Sequence, residues 1–400
     1  MSASTPETTD RRMGSARVSN LGTGPVGALR PPKREPPPSV ARTQRQPGYP
    51  VRSGRALSEE HAQLTAPTTT AHQDHGSTPP VIVVGMPRSG STLLVRLLNE
   101  SPDLVVVNDL YFLQEVDATR GSERPGRMAT QSLCEWLLDR IKDRTNGTGS
   151  REFVRSLALS RSEIQTVEKR ARAELSGEKH WSEILTVVLQ AVAREEGKSR
   201  WGYNTPQDYL HLDRLREAFP GAQFVFLLRS PDRVMASYKF NRDPFAGPNR
   251  YHPVLQSVAW RLCARTYLDE RAKGASDILL VRYEDLVADT ESTLRRIGLF
   301  LNAPLEYRPL EGLGNNSSYR GSTDRRLSGL ETWLCRKIAS PVATELGYEI
   351  PAMPIRSSEF WGLLFCTCQS GWFHLWLALR SANARARILK VVRQWRLQRD

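Results

Sequence analysis

A short apolar run that leads into a glycine loop and then into a helical repeat constrains this chain more than any other feature. Residues 81–84 are Val-Ile-Val-Val, a β-branched run typical of a strand buried in a parallel sheet. A loop with glycine at its first and sixth positions follows, and apolar residues from position 93 onward recur at helical spacing. A strand, a loop and a helix in this order predict the first unit of an α/β fold.

Further strands and helices alternate along the chain. Apolar runs predict strands at residues 104–107, 224–228 and 278–282, and residues 200–204 are a further candidate for a short strand. Helical patterns lie between or beside these runs, at residues 181–192, 208–219, 254–273 and 290–301. This alternation predicts an α/β fold of the P-loop-like three-layer type, with a central parallel sheet flanked by helices.

The loop after the first strand has the spacing of an anion-binding site. Gly85 and Gly90 are separated by four residues and followed by Ser91 and Thr92, so Ser91 stands where a P-loop has lysine. Glycines let backbone N–H groups turn inward, and the N-terminal dipole of the next helix favours an anion at the same point. Arg88 adds a guanidinium that can hold a phosphate or sulfate group. The alternative interpretation is a tight turn without a ligand.

A second arginine follows the predicted strand at residues 224–228. Ser230 and Pro231 are typical of a helix start, and 3.6 residues per turn bring Ser237 back towards the strand end and Arg229. Both side chains could then hold one anion at the carboxyl edge of the sheet. A P-loop NTPase would be expected to carry an aspartate there to hold magnesium, so the arginine favours an extra phosphate bound without metal.

Composition divides the chain into three parts. Residues 1–80 hold 12 of the 26 prolines and few apolar clusters, which predicts a disordered Pro/Arg/Thr-rich segment over residues 1–79. We expect a catalytic domain over residues 80–350 and an amphipathic Trp/Arg-rich tail over residues 351–400. The net charge is +13, of which +4 lies in residues 1–80 and +6 in residues 380–400, leaving +3 for the body. A nearly neutral body predicts no nucleic-acid partner.

Cysteine usage predicts an intracellular environment. The five cysteines are an odd number in a long chain, which is typical of reduced thiols and a cytoplasmic location. No apolar segment follows Met1, so we expect no secretory signal. Cys366 and Cys368 lack a second pair or clustered histidines, and we expect no metal site.

Three segments together resemble the sulfotransferases that use 3′-phosphoadenosine 5′-phosphosulfate (PAPS). Residues 84–93 resemble their 5′-phosphosulfate loop, and residues 224–238 resemble their 3′-phosphate motif, including the spacing from Arg229 to Ser237. Residues 282–286, Arg-Tyr-Glu-Asp-Leu, resemble a third recurrent segment. Residues 345–349 are similar to the bacterial and tyrosylprotein branch, and the resemblance covers roughly residues 80–350.

The resemblance implies an activity and a set of binding residues. It implies transfer of a sulfuryl group from PAPS to a hydroxyl of a small-molecule or lipid-like acceptor, with release of 3′,5′-ADP and without a metal. The residues implied in holding PAPS are Arg88, Ser89, Gly90, Ser91, Thr92, Arg229, Ser237, Ser318 and Arg320. In the late loop, Ser317 and Ser322 are alternatives to Ser318.

The resemblance also implies a catalytic base after the second strand, where the related branch carries a glutamate. The matching residue is Asp109, and its apolar neighbours Leu110–Phe112 predict a desolvated, more basic carboxylate. The alternative is an N-cap or turn aspartate. Asn204 stands where the family often has lysine, so Arg88 is expected to act as a catalytic cation at the bridging oxygen as well.

The tail predicts contact with a membrane surface. Residues 360–379 carry no formal charge and three of the nine tryptophans, and residues 380–399 carry seven arginines and lysines. Aromatics beside a basic helix predict peripheral contact with anionic lipid through residues 360–399. The alternatives are a helix packed on the core or on a second copy of the chain, which would make a homodimer.

Two other functions remain open from the sequence. The first is a P-loop kinase or NTPase, which Ser91 and Arg229 disfavour. The second is a catalytically inactive basic lipid-binding protein, because Asn204 and Asp109 both depart from the pattern of the active family.

Overall fold

A single parallel sheet organises the structure. The computed structural model describes residues 78–119, 127–146, 155–240, 251–307, 326–365, 367 and 368. The strands in these residues are β1 (Val81–Gly85), β2 (Leu104–Val107), β3 (Arg200–Asn204), β4 (Gln223–Leu228) and β5 (Ile278–Arg282). They pair in the order β2-β3-β1-β4-β5, and every pairing is parallel.

Helices follow the strands in sequence. In chain order, the helices with defined bounds are α1 (Ser91–Asn99), α2 (Phe112–Ala118), α3 (Arg127–Asn146), α4 (Arg161–Glu174), α5 (Trp181–Glu195), α6 (Leu212–Ala218), α7 (Pro231–Lys239), α8 (Pro253–Ala272), α9 (Tyr283–Ala288), α10 (Thr290–Leu301) and α11 (Gly329–Glu345). No helix in the described ranges is long and apolar enough to cross a membrane.

The two faces of the sheet bury different side chains, since successive residues of a strand point to opposite faces. Ile82 and Val84 belong to a large core that includes side chains of α2 to α8 and of α11. Val81 and Val83 belong to a smaller core with α1, α9 and α10. The sheet is therefore the middle of three layers, which confirms the predicted α/β architecture.

The five predicted strands are confirmed, but one predicted helix is wrong. The sequence predicts one helix over residues 208–219, whereas Pro206–His211 form a 3₁₀ helix and Leu212–Ala218 form α6. The backbone of His211, with φ −131°, departs from helical geometry between the two. Tyr203 also donates a hydrogen bond to Asp208 at 3.1 Å, which holds the 3₁₀ turn against β3.

The carboxyl ends of the strands meet at one edge of the sheet. Strands β3 and β2 lie on one side of β1, whereas β4 and β5 lie on the other, so the strand order reverses at β1. Ligands of open α/β sheets bind in the crevice outside the strand ends at such a reversal. The loops that begin after Gly85, Val107, Asn204 and Leu228 all lie at this edge.

Candidate functional site

The first loop begins at a close backbone approach between β1 and β4. Gly85 has φ +134°, and a Cβ on it would lie only 2.1 Å from the carbonyl oxygen of Leu227. The next amide, that of Met86, donates a hydrogen bond to the same carbonyl at 3.1 Å. Only glycine allows this approach, because any side chain would push the loop away from β4.

The rest of the loop turns its backbone inward. Arg88 and Gly90 both have left-handed backbones, with φ +71° and φ +96°. Gly90 begins α1 without a side-chain cap, so the first amides of the helix lack the usual internal acceptor. The Ser89 hydroxyl is buried, and no described residue hydrogen-bonds it. Unsatisfied donors at a helix start suit an anionic group.

Arg88 links the two predicted anion motifs. Its Nε atom donates a hydrogen bond to the hydroxyl of Ser237 at 3.1 Å. Ser237 is buried on α7, two turns after Ser230, as the helical count predicts. The loop after β1 and the helix after β4 therefore share one polar contact, and a single ligand with two anionic groups could reach both.

Arg229 stacks on the ring of Tyr283, which also packs against Gly90 of the first loop. Its guanidinium carbon lies 4.4 Å from the centre of the Tyr283 ring, at the start of α9. A Cβ on Gly90 would lie 2.4 Å from Cδ2 of the same ring. The indole of Trp260 donates a hydrogen bond to the Arg229 carbonyl at 2.8 Å. These contacts fix the position of the Arg229 cation beside the loop.

Glu284 hydrogen-bonds the backbone next to Arg229. Its Oε1 atom accepts a hydrogen bond at 2.9 Å from the backbone N–H of Ser230, which begins α7. Burial raises the pKa of Glu284, and the Ser230 amide and the charge of Arg229 lower it in part. Tyr283 and Glu284 thus contact Arg229 and the residue that follows it.

A buried amide network crosses the other side of the site. Nδ2 of Asn204 donates to Oδ1 of Asn108 at 2.7 Å, and Nδ2 of Asn108 donates to the Thr92 hydroxyl at 3.4 Å. Asn204 is fully buried. Its amide therefore ties β3 to β2 instead of supplying the cation that a lysine would bring.

Asp109 lies at the carboxyl edge beyond β2, in a left-handed backbone with φ +49°. Arg144 of α3 donates to the Asn108 carbonyl at 2.8 Å and to the Asp109 carbonyl at 3.0 Å. Tyr111, rather than Asp109, is the N-cap residue of α2. A non-glycine residue in this conformation is uncommon and is often found at functional sites.

The environment of Asp109 raises its basicity. Burial raises the pKa of Asp109, and the charges of Arg144, Arg88 and Arg140 lower it in part. Tyr111 donates a long hydrogen bond of 3.4 Å to Oδ1 of Asp109. Burial raises the pKa of Tyr111 as well, so that hydroxyl keeps its proton. The carboxylate is close enough to Arg88 for their charges to interact.

Some predicted positions fall outside the described residues. Ser318 and Arg320, with the alternatives Ser317 and Ser322, lie in residues 308–325, so the structure places none of them. Within the described ranges, no three His, Cys, Asp or Glu residues cluster in a way that could hold a metal ion.

Sequence reasoning missed the residues that support the site. Arg144 lies outside every motif, and Tyr283 and Glu284 belong to the recurrent segment at residues 282–286 without a role assigned to either. The burial of Arg144 depends on the packing of α3, which no local pattern indicates.

Comparisons with known proteins identify the family of the chain. A family model described as the Sulfotransferase family matches residues 79–307. A Caenorhabditis briggsae protein named "Putative protein-tyrosine sulfotransferase" is 22% identical over 223 residues, which are 56% of this chain and 65% of that protein. The chain thus spans just under two thirds of the length of that relative.

Two solved structures are also similar. The sulfotransferase domain of the Synechococcus PCC 7002 olefin synthase is 22% identical with a TM-score of 0.43, over 70% of this chain and 99% of that domain. The sulfotransferase STF9 of Mycobacterium avium is 16% identical with a TM-score of 0.41, over 70% of this chain and 80% of that one. Both TM-scores are low, so family membership rests on the family match.

The fold defines a three-layer α/β protein with a glycine loop and two arginines at the carboxyl edge of its sheet. The family match covers more than half of the chain. The chain therefore belongs to the Sulfotransferase family, a family of enzymes that transfer sulfuryl groups, and the predicted family is confirmed.

Proposed function

We propose that the protein transfers the sulfuryl group of PAPS to a hydroxyl of a small-molecule or lipid-like acceptor and releases 3′,5′-ADP. The observation that carries this proposal is the 3.1 Å hydrogen bond from Arg88 to Ser237. It joins the loop that resembles the phosphosulfate site to the helix that resembles the 3′-phosphate site. A ligand with anionic groups at both ends of a nucleoside would match this pair.

The residues present fit such a ligand. The buried Ser89 hydroxyl without a described partner and the uncapped start of α1 supply donors for the phosphosulfate end. Arg229 and Ser237 would hold the 3′-phosphate, with Tyr283 fixing the Arg229 guanidinium. Bound PAPS supplies an activated sulfuryl group, and the chain supplies binding, orientation and proton transfer.

Asp109 would act as the general base. Its carboxylate would accept the proton of the acceptor hydroxyl as that oxygen becomes a nucleophile. Burial makes the carboxylate more basic, while the charges of Arg144 and Arg88 offset part of that increase in its pKa. Arg88 would also meet the negative charge at the transferring group, because Asn204 is committed to Asn108.

The acceptor would have an apolar or aromatic face. Tyr111 contacts Asp109, and Tyr238 lies close enough to Tyr111 and Arg88 for their charges to interact; burial raises the pKa of Tyr238 to about 12. Two protonated phenols in this part of the site favour a ring or acyl chain next to the reacting hydroxyl. This supports the small-molecule or lipid-like class over a highly charged acceptor.

Calorimetric titration of the full chain tests the proposal. We expect 3′,5′-ADP to bind without magnesium, and ATP with magnesium to bind at least tenfold more weakly, a difference of about 1.4 kcal/mol. Stronger binding of ATP with magnesium would favour the kinase or NTPase class. Binding of neither nucleotide would favour an inactive lipid-binding protein.

A second measurement tests turnover. Sulfur-labelled PAPS and a lipid-containing cell extract should give labelled products that depend on the enzyme. An Asp109→Asn protein, which retains the binding site, is the matched control. Equal labelling by both proteins would exclude Asp109 as the base, whereas no labelled product above the enzyme-free reaction would contradict the proposed transfer.

A further inference from the structure

A helix near the C-terminus attaches to the body through one face. Residues 359–365, 367 and 368 are helical, and we refer to them as the C-terminal helix. The Glu359 carboxylate accepts hydrogen bonds from the backbone N–H groups of Gly329 at 3.3 Å and Leu330 at 2.8 Å, where α11 begins. Two turns later, the Thr367 hydroxyl lies 3.1 Å from Nε2 of His252.

The spacing of these contacts defines the attached face. Glu359, Leu363 and Thr367 are four residues apart, so they share one side of the helix. Leu363 is half-buried, whereas Phe360, Trp361, Leu364 and Phe365 are exposed. The described part of the helix therefore has a defined orientation, fixed by polar contacts at Glu359 and Thr367.

The other side of the C-terminal helix carries large apolar side chains that are exposed to solvent. The exposed fractions are 57% for Phe360, 75% for Trp361, 53% for Leu364 and 68% for Phe365. At 100° per residue these four positions cluster on one side, which we name the outward face. Contiguous exposed apolar surface of this kind marks an interaction site.

Charge in the adjoining sequence indicates what this face contacts. Residues 366–379 carry no formal charge, and residues 380–399 carry seven arginines and lysines with no acidic residue. Aromatic side chains beside a basic segment suit the interface of an anionic bilayer, where rings enter the headgroup region and cations meet lipid phosphates. Two copies of the chain meeting through this region would bring like charges together.

We propose that the outward face and the basic residues 380–399 bind the surface of an anionic lipid membrane. The apolar side chains would insert between headgroups, and the basic residues would supply attraction that salt screens. The proposal concerns attachment and does not depend on the sulfotransferase reaction.

Vesicle flotation with the full chain tests the proposal. We expect the protein to float with vesicles of phosphatidylcholine and phosphatidylserine and to stay largely unbound with phosphatidylcholine alone. In about 1 M salt, where the Debye length is about 3 Å, binding should fall at least tenfold. Equal binding to both kinds of vesicle, or none to either, would overturn the proposal.

Two sets of variants separate the outward face from a general effect. Trp361→Ser combined with Phe365→Ser should lower the vesicle-bound fraction at least tenfold without lowering the melting temperature. The matched control combines Met128→Ser and Leu299→Ser, which remove apolar side chains that are 82% and 79% exposed on other helices. The control should float like the unmodified chain.

The alternative occupants give different results. If the outward face covers a second copy of the chain, sedimentation will show a dimer that the Trp361→Ser/Phe365→Ser variant disrupts, and vesicle binding will be unchanged. If the face packs on the core, the same variant will melt at a lower temperature. Either result would overturn the proposal.

Discussion

The Nε atom of Arg88 donates a hydrogen bond of 3.1 Å to the hydroxyl of Ser237, across a sequence separation of 149 residues. Arg88 belongs to the loop after β1, and Ser237 lies on the second turn of α7. The contact forms because β1 and β4 are neighbours and their carboxyl ends open into the same crevice. Arg88 therefore contacts both parts of the proposed nucleotide site, the loop after β1 and the helix after β4.

Replacing Arg88 and Ser237 should weaken nucleotide binding in a coupled way. Arg88→Ala should weaken 3′,5′-ADP binding about tenfold or more, since a charge-assisted hydrogen bond contributes about 1.5–3 kcal/mol. Ser237→Ala should cost less. The double variant should bind more tightly than the sum of the two losses implies, because the residues contact each other.

The measurement is a calorimetric double-mutant cycle. Arg233→Ala provides the matched control, because Arg233 lies on the same helix with its side chain 49% exposed. It should bind 3′,5′-ADP like the unmodified protein. Strictly additive losses would show that Arg88 and Ser237 contribute to separate sites.

Arg229 and Tyr283 should determine recognition of the 3′-phosphate. Arg229→Ala should weaken 3′,5′-ADP at least tenfold and leave 5′-AMP nearly unchanged, because 5′-AMP lacks the group that Arg229 would hold. Tyr283→Ala should do the same to a smaller degree, whereas Tyr283→Phe keeps the ring under the guanidinium. A parallel loss for both nucleotides would place Arg229 at the other end of the ligand.

Asp109 should be needed for turnover and not for binding. Asp109→Asn keeps the shape but cannot take a proton, so turnover should fall by roughly 10²-fold or more while 3′,5′-ADP affinity stays near normal. Asp109→Glu should retain activity. Since only ionised Asp109 can act as the base, turnover should rise with pH through a pKa above the ordinary aspartate value.

Initial rates across pH check this assignment. A variant with near-normal turnover would exclude Asp109 as the base. Loss of nucleotide binding together with turnover would indicate a turn aspartate that holds the loop in place.

Local patterns predicted the sheet well because buried parallel strands are continuous apolar runs. The runs at residues 81–84, 104–107 and 278–282 each became a strand within a residue of the expected limits. The position of Ser237 was also predictable, since it depends only on the count of residues after the start of α7. These features depend on neighbours in the sequence.

Contacts between distant elements could not be predicted in the same way. The bond from Arg144 to the carbonyl of Asp109 depends on how α3 packs beneath the loop, and no periodicity encodes that distance. The hydrogen bond between Asn204 and Asn108 depends on β3 pairing with β2. The sequence shows that Asn204 stands in place of a lysine, and the structure shows that the Asn204 amide hydrogen-bonds Asn108.

Asp208 should make the fold less stable as pH rises. Burial raises the pKa of Asp208 from 3.8 to about 7, against a hydrogen bond from Tyr203 and the charge of Arg214 that lower it. Between these two values the unfolded chain loses the proton while the folded chain keeps it, so stability falls as pH increases from about 4 to about 7. Below about pH 4 both the folded and the unfolded chain carry the Asp208 proton, so Asp208 no longer lowers the stability of the fold.

Asp208→Asn should remove that dependence, because asparagine stays neutral and can still accept the Tyr203 hydrogen bond. At pH 8 the variant should melt at a temperature higher by roughly 5 °C than the unmodified chain, and the difference should shrink towards pH 5. Asp213→Asn, on a side chain that is 85% exposed, is the control and should show no such trend. A pH-independent difference would mean that Asp208 is already ionised in the folded state.

Arg144 should act as a positioning residue for Asp109. Its buried guanidinium donates to the carbonyls of Asn108 and Asp109 and holds the left-handed turn, while its charge lowers the pKa of the Asp109 carboxyl. Arg144→Gln removes the charge, so turnover should fall about tenfold and its acid limb should move to higher pH. Arg144→Lys keeps the charge but loses the paired hydrogen bonds, so turnover should fall while the acid limb stays near its original pH.

The shift of the acid limb distinguishes this role from simple support of the fold. Calorimetry with 3′,5′-ADP should give unchanged affinity for both Arg144 variants, because neither change touches the anion loop. Thermal melting should show both proteins folded at the assay temperature, which makes the rates comparable. If Arg144→Gln lowers turnover without moving the acid limb, Arg144 supports the loop and does not tune the base.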